Sequence, residues 1–423
     1  MNQFPANQPK KQGIVFTALL IYLWLCMFPF PLTEMPVSSR FLDAYQWGLD
    51  FINRGFSWMF WNETDLHSQI QTRGSGDARY NYAMLATMTS LALILSVIVH
   101  FTIRKTEFFT RFYKLTILYC RYFVGLYLLL YGFSKFHESQ FLLPRLMDLE
   151  RKTGDLSPMD LLWFFMGYSP LYCAFTGLGE IFGGICLLFR KTKSLGCIIT
   201  IAAMSNVFML NLSYDVPVKL FSFHLVMISV FILVPDLKGL YGLFFQQKPY
   251  RLQGEPMVLP ENWMRRGRLF LKTLLILGAP ANILLGGYLF PDRKDTTLVG
   301  CYPVQYTICN QDTVAIRSRQ PATWDRLILE NRMARIFFHD GTVLDFKSRI
   351  DTNRHTLNLE SLTKEQALMR FTYDQPGPNE LTLSGEMGAD SIRMHCTKTG
   401  IQDYPLIRRG FHWINEYPYY SIY

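Results

Sequence analysis

The sequence lacks the usual short motifs of catalysis. There is no P-loop, no G-x-S-x-G, no H-E-x-x-H and no dinucleotide fingerprint. C-x-x-C and related metal-ligand spacings are also missing, so the common zinc and dithiol sites are excluded and no metal is expected. Paired histidines in apolar segments, which could grip a haem, are absent. No internal repeat is apparent, whereas secondary transporters commonly show one. Charge is scarce in the first two-thirds of the chain and ordinary in the last third. From Asp292 to Tyr423 there are 16 basic and 16 acidic residues. Against totals of 42 and 33, this leaves 26 basic and 17 acidic residues upstream, so the whole excess of +9 lies there. A nucleic-acid face would need its basic stripe on a soluble surface, and none is indicated.

What fills the first part is apolar. Seven runs approach the roughly 20 residues needed to span a bilayer: Gly13–Leu32, Tyr82–Ile103, Leu115–Phe133, Tyr168–Phe189, Leu195–Leu212, Val216–Val234 and Leu269–Phe290. The first reads as a retained anchor, because no small-x-small cleavage site follows it. Basic residues collect between runs two and three (Arg104, Lys105, Arg111, Lys114), four and five (Arg190, Lys191, Lys193), and six and seven (Lys238 to Arg268). The positive-inside rule puts these loops and the N-terminus in the cytoplasm of an inner (plasma) membrane. An odd number of crossings then leaves residues 292–423 on the opposite, periplasmic side.

The outer loop 33–81 carries Phe41, Tyr45, Leu49 and Ile52 at helical spacing, which predicts an amphipathic helix lying on the membrane. Gly74-Ser-Gly-Asp77 predicts a flexible turn before run two. Pro235-Asp236 predicts the end of run six. From Thr313 on, short alternating segments predict strands: 315–317, 324–329, 334–339, 343–346, 355–359, 367–373, 380–383 and 391–396. They suggest an antiparallel meander closing into a small barrel or sandwich. Cys301 and Cys309 precede them, either as a disulfide of an extracytoplasmic domain or as buried thiols.

A charge inside a spanning helix costs about 2.5–3.5 kcal/mol, so polar residues there need a reason. Arg121, Gly125, Leu128, Gly132 and Lys135 share one helical face of run three, a small and basic seam. Arg121 and Lys135 either line that seam or snorkel to the interfaces. Glu180 lies midway along run four among Gly177, Gly179, Gly183 and Gly184, with Gly179/Gly183 as a G-x-x-x-G approach site. Asn206 sits in run five, and Asp215, Lys219 and His224 lead into run six, with Asp215 placed as an N-cap. Lys135, Glu180, Asn206, Asp215, Lys219 and His224 could converge on a pocket at the outer ends of runs three to six. A structural Glu180–cation pair is the competing reading.

Arg121-Tyr-Phe-Val-Gly125, Tyr131-Gly-Phe-Ser-Lys135, Gly179-Glu-Ile-Phe-Gly-Gly184 and the Asp215–Asp236 segment resemble the four-helix DoxX family over roughly Lys114–Phe245. Long Bacteroidetes-type members are similar also in Gly-Ser-Gly-Asp and in the Gly410–Pro418 motif. The resemblance implies a multi-pass inner-membrane protein with Arg121, Lys135 and Glu180 as a polar core. It also implies a link to quinone-dependent oxidoreductase subunits, with quinone as ligand. The expected division is 1–113 for the first two spans and their outer loop, 114–250 for a DoxX-like core, 251–291 for a linker and last span, and 292–423 for the β domain. Three functions remain open: an envelope scaffold or ligand-binding component, a quinone-linked subunit, and a small-solute transporter. Expected partners are the lipid bilayer and an envelope protein bound through the C-terminal domain, whose aromatic tail runs from Phe411 to Tyr420.

Overall fold

The computed structural model describes residues 13–31, 39–61, 76–103, 105–136, 140–249, parts of 266–281, 298–310, 312–315, 323–330, 332–362, 368–387, 390–410 and 413. They form two compact units, one helical and one built around a β-sheet. The helical unit contains α1 (Ile14–Met27), α2 (Ser39–Trp61), α3 (Arg79–Thr102), α4 (Thr106–Phe136), α5 (Pro158–Tyr168), α6 (Pro170–Leu188), α7 (Lys193–Ser213) and α8 (Lys219–Gln246). Five of these, α3, α4, α6, α7 and α8, are long and apolar enough to cross a membrane, and α1 is a shorter apolar helix of 14 residues. Much of the seventh apolar run, Leu269–Phe290, lies outside the described residues. The chain is therefore a polytopic helical membrane bundle followed by a β domain.

The seam predicted on run three is the centre of this bundle. Arg121, Gly125, Leu128, Gly132 and Lys135 are all buried along α4. The glycines explain how closely α4 and α6 approach. A Cβ on Gly132 would lie 2.8 Å from the Gly177 carbonyl oxygen, and one on Gly177 would lie 2.7 Å from that of Gly132. One turn pair further along, a Cβ on Gly184 would lie 2.9 Å from the Gly125 carbonyl oxygen. The contact thus uses Gly125/Gly132 against Gly177/Gly184, each spaced by seven residues as in coiled-coil-like packing. The predicted Gly179/Gly183 pair does not make it. A Cβ on Gly179 would meet nothing within 4 Å, and one on Gly183 would touch Ile199 and Thr200 of α7.

Three further expectations change. The α2 helix is amphipathic, but Tyr45 and Leu49 turn inward onto a cavity. Its exposed aromatic face is Trp47, Phe51 and Trp58, while the polar Asn53 and Ser57 are buried. Hydrogen bonds tie the polar side of α2 to α3: Tyr80 donates to Asp50, Gln46 donates to Tyr80 and Thr87 donates to Asn53. Run six does not stop at Pro235, which lies inside α8. A proline costs a spanning helix less than a soluble one, because neighbouring groups satisfy the freed carbonyl. Asp215 does not cap α8 either. Its side chain is 82% exposed and accepts from Lys219 Nζ at 2.6 Å. The cap comes from 142 residues upstream: Asp77 accepts from the backbone N–H of Lys219 at 2.5 Å and of Leu220 at 3.0 Å. The Gly-Ser-Gly-Asp turn serves this purpose, since a Cβ on Gly76 would sit 3.0 Å from the Pro217 carbonyl oxygen. A carboxylate at this position meets unpaired N–H groups and the positive end of the helix dipole.

The second unit is a closed antiparallel barrel of eight strands. Its strands are β1 (Gly300–Cys309), β3 (Trp324–Glu330), β4 (Met333–Phe338), β5 (Val343–Asp351), β6 (Thr356–Ser361), β7 (Leu368–Asp374), β8 (Glu380–Met387) and β9 (Asp390–Thr397). Consecutive neighbours pair, β9 returns to β1, and β2 (Asp312–Ala315) pairs with β1 at its edge. Alternation fills the interior: Tyr302, Leu327, Ile336, Leu359, Phe371 and Leu383 are each 0 or 1% exposed. Trp324 packs edge-on against Phe371 with ring centroids 5.5 Å apart.

β1 was not among the predicted strands. Pro303 argues against a closing strand, yet it sits opposite Arg326, just before a bulge at Val304/Tyr306. Finding β1 also settles the thiols. Cys301 and Cys309 mark opposite parts of one strand, eight residues and therefore about 26 Å apart. A disulfide needs Cα atoms within roughly 7 Å, so both are free. Burial pushes the Cys301 thiol up to about 11 and Cys396 up to about 12, which removes both as thiolates at neutral pH.

Candidate functional site

The predicted polar residues do not form one site. They separate into five places within the helical unit. Lys135, at the end of α4, and Glu180, midway along α6, form a buried ion pair with Nζ–Oε1 at 2.5 Å and side-chain exposures of 7% and 2%. The other carboxylate oxygen, Oε2, has no hydrogen-bond partner among the described residues. The pair lies on the glycine seam just described.

Arg121 lies 14 residues, and hence about 21 Å, from Lys135 along α4. Its Nε and Nη2 donate to the Leu187 carbonyl at 2.9 and 2.8 Å. That carbonyl belongs to the last turn of α6, where a cation complements the helix dipole. Nearby on α7, Lys193 pairs with Asp236 of α8 at 3.1 Å, and Ser194 donates to the same oxygen at 2.5 Å. This second buried ion pair escaped the sequence reading, because both residues sit at the edges of apolar runs and looked like loop charges.

Asn206 is exposed on α7. The buried asparagine is Asn211, whose amide donates to Ser222 Oγ at 3.0 Å. Asp215 and Lys219 form the local pair noted above.

His224 leads elsewhere, toward α1 and α2. Its Nδ1 lies 2.6 Å from the Leu220 carbonyl oxygen. A carbonyl only accepts, so Nδ1 carries the proton and Nε2 presents a lone pair. The Tyr22 hydroxyl donates to that lone pair at 2.6 Å. Cys26, one turn along α1, hydrogen-bonds Tyr22 in turn. His224 and Cys26 face a cavity of about 390 Å³ bounded by α1, α2, α3 and α8, with Phe123 of α4. Most of the wall is apolar: Leu25, Met27, Leu49, Met84, Met88, Phe221 and Ile228. Polar groups are few and gathered: Tyr45, Gln46, Asp77, Tyr80, Asn81, Cys26 and His224. This is the composition of a small-ligand site, apolar walls with a few oriented hydrogen-bonding groups.

The sequence singled out His224 but not its partners. Tyr22 and Cys26 lie in what reads as a simple anchor, and only the packing of α1 beside α8 shows their role. No group of three or more His, Cys, Asp or Glu side chains suited to a metal ion occurs among the described residues.

No family model matches the chain, and no solved structure matches it. The "Uncharacterized protein YwoB" of Bacillus subtilis (strain 168) is 30% identical over 129 residues, which is 30% of this chain and 80% of that protein. A similarity of that extent over most of the shorter protein identifies a shared fold and descent, and the chain belongs to the YwoB family.

Proposed function

We propose that this protein is a DoxX-like component of the bacterial inner membrane that binds an apolar ring ligand of the quinone class between α1, α2, α3 and α8. The observation carrying this reading is the 390 Å³ cavity with His224 in its wall. His224 Nε2 accepts from Tyr22 and would accept equally from a ligand hydroxyl that displaces it. On α2, the Tyr45 hydroxyl, which donates to the Phe28 carbonyl at 3.4 Å, and the Gln46 amide, which donates to Tyr80 at 3.1 Å, would serve a ligand carbonyl by exchanging those partners.

The orientation supported by the basic loops places the N-terminus in the cytoplasm and the β domain in the periplasm. The structure adds a second argument for part of this. Residues 143–156, from the connection between α4 and α5, belong to the same compact unit as the barrel. This supports a reading in which that connection and the barrel share one side of the membrane. The arrangement also favours a second reading, an envelope scaffold in which the helices hold the barrel for a protein partner. The aromatic tail expected to bind such a partner falls largely outside the described residues.

Titration of the purified full-length protein with a short-chain quinol, the reduced form whose hydroxyls can donate to His224 Nε2, tests the first reading. His224→Phe keeps the ring volume and removes the acceptor, and Tyr22→Phe removes the competing hydroxyl. We expect His224→Phe to weaken binding by up to about tenfold, the scale of one neutral hydrogen bond. Binding that is absent in the parent protein, together with a stable co-purifying protein partner, would replace the ligand reading with the scaffold.

A further inference from the structure

The geometry points to a latch: the α4–α5 connection carries a strap that docks on the barrel and can leave it. The strap is Leu143–Leu156, which clusters with the barrel rather than with the helices on either side of it in sequence. It contains one helical turn, Leu146–Leu149, followed by a 3-10 turn at Thr153–Asp155. Leu146 and Met147 are 3% and 7% exposed. They sit with Cys301 and Ile328 of the barrel, against Met333, Phe337 and Tyr404.

Charged groups frame that apolar seat. Arg326 of β3 reaches Glu150 of the strap, and the Tyr404 hydroxyl donates to Glu150 Oε1 at 2.5 Å. Arg335 of β4 donates to the Met147 carbonyl at 3.3 Å and is held by Asp345 at 2.7 Å. Glu330 accepts from the backbone of Leu146 and Met147, and so satisfies N–H groups of the strap's helical turn. A strap that merely passed over the barrel would not need a carboxylate clasped from two sides.

The docked state is specific but small. Two apolar side chains are buried, and the strap–barrel ion pair, Arg326–Glu150, leaves its arginine side chain 37% and its carboxylate 13% exposed. A pair with one partner a third exposed is screened by solvent and contributes modestly. A single helical turn has no stability of its own. Such segments open at low free energy while the structure around them stays folded. A released strap carries Arg145, Asp148, Glu150, Arg151 and Lys152 into water, and hydration of Glu150 offsets the loss of Arg326 and Tyr404. Docked, the barrel is tied to the rest of the chain both by the strap and by the segment preceding Leu298. Released, it keeps the second connection alone. The latch thus sets how tightly the barrel is held to the connection leaving α4.

Hydrogen exchange on the full-length protein in lipid nanodiscs tests this. The parent protein should protect amides 146–151. The double variant Tyr404→Phe/Arg326→Gln, altered only on the barrel, should raise exchange in that strap at least about tenfold. Amides of the β6–β7 pairing, remote in the sheet order, should keep their parent rates. Glu150→Gln, which keeps an acceptor for Tyr404, should fall between. Strap amides that exchange at unprotected rates in the parent would overturn the proposal. So would a double variant whose strap exchanges like the parent, or one whose barrel loses protection throughout.

Discussion

Lys135→Met should destabilise the helical unit by about 3–5 kcal/mol, the cost of leaving a buried carboxylate without its cation. Glu180 is 2% exposed and has Lys135 as its ion-pair partner at 2.5 Å. Its second oxygen already lacks a partner among the described residues. Removing the cation therefore strips the one ion pair that holds the Glu180 charge among the described residues. The double substitution Lys135→Met/Glu180→Leu should recover most of the loss, because a well-packed apolar pair replaces a buried ion pair at little or no cost. Reversible unfolding of the purified protein in mixed micelles reads both. A Lys135→Met protein as stable as the parent would show that Glu180 is protonated and that the pair is not ionic. The comparison also separates structure from chemistry at this site. If the double variant folds and still binds ligand, the Lys135–Glu180 pair is a fastener of the seam.

The second large effect concerns the seam itself. Gly132→Val should destabilise by about 1–3 kcal/mol or more, because the first added carbon already meets Ile181 at 2.7 Å and a backbone carbonyl at 2.8 Å. The backbone cannot yield without driving α4 from α6. Gly179→Val should be nearly neutral, since a Cβ there would meet nothing within 4 Å. The two variants differ only in position along one pair of helices. Equal effects, or a larger one at Gly179, would restore the G-x-x-x-G reading and contradict the packing described here. The same unfolding assay serves.

That contrast shows what was legible in the sequence. The basic, glycine-bearing face of α4 was readable, because helical periodicity puts Arg121, Gly125, Leu128, Gly132 and Lys135 in line whatever they touch. The partner face was not. Glycines at 177, 179, 183 and 184 all suit close approach, and only the antiparallel register selects 177 and 184. The division into a helical part and a β part followed from hydropathy and charge spacing. β1 did not, because Pro303 masks a closing strand. Barrel closure is a long-range pairing of β1 with β9, nearly a hundred residues away, and no local signal encodes it.

The candidate site was the least legible part. His224 stood out as a polar group in an apolar run, but its partner Tyr22 lies 202 residues earlier. Asp77 was read as part of a turn, whereas its carboxylate caps α8 four to five residues before His224 and fixes that end of the cavity. Asp215, locally the better cap by sequence, loses because its side chain points to solvent and Lys219. A short polar side chain caps whichever helix end the fold delivers to it, and sequence distance carries no information on that.

On the proposed reading, the cavity beside His224 holds a ring ligand. The most direct test of that reading is photolabelling of the full-length protein in membranes with a photoactivatable quinone, followed by mass spectrometry of the labelled peptides. The label should fall on the cavity wall, on Cys26–Phe28, Tyr45–Leu49 or Leu220–His224, and excess unlabelled quinone should suppress it. Label confined to the exposed aromatic face of α2, or label that excess quinone does not suppress, would contradict the account.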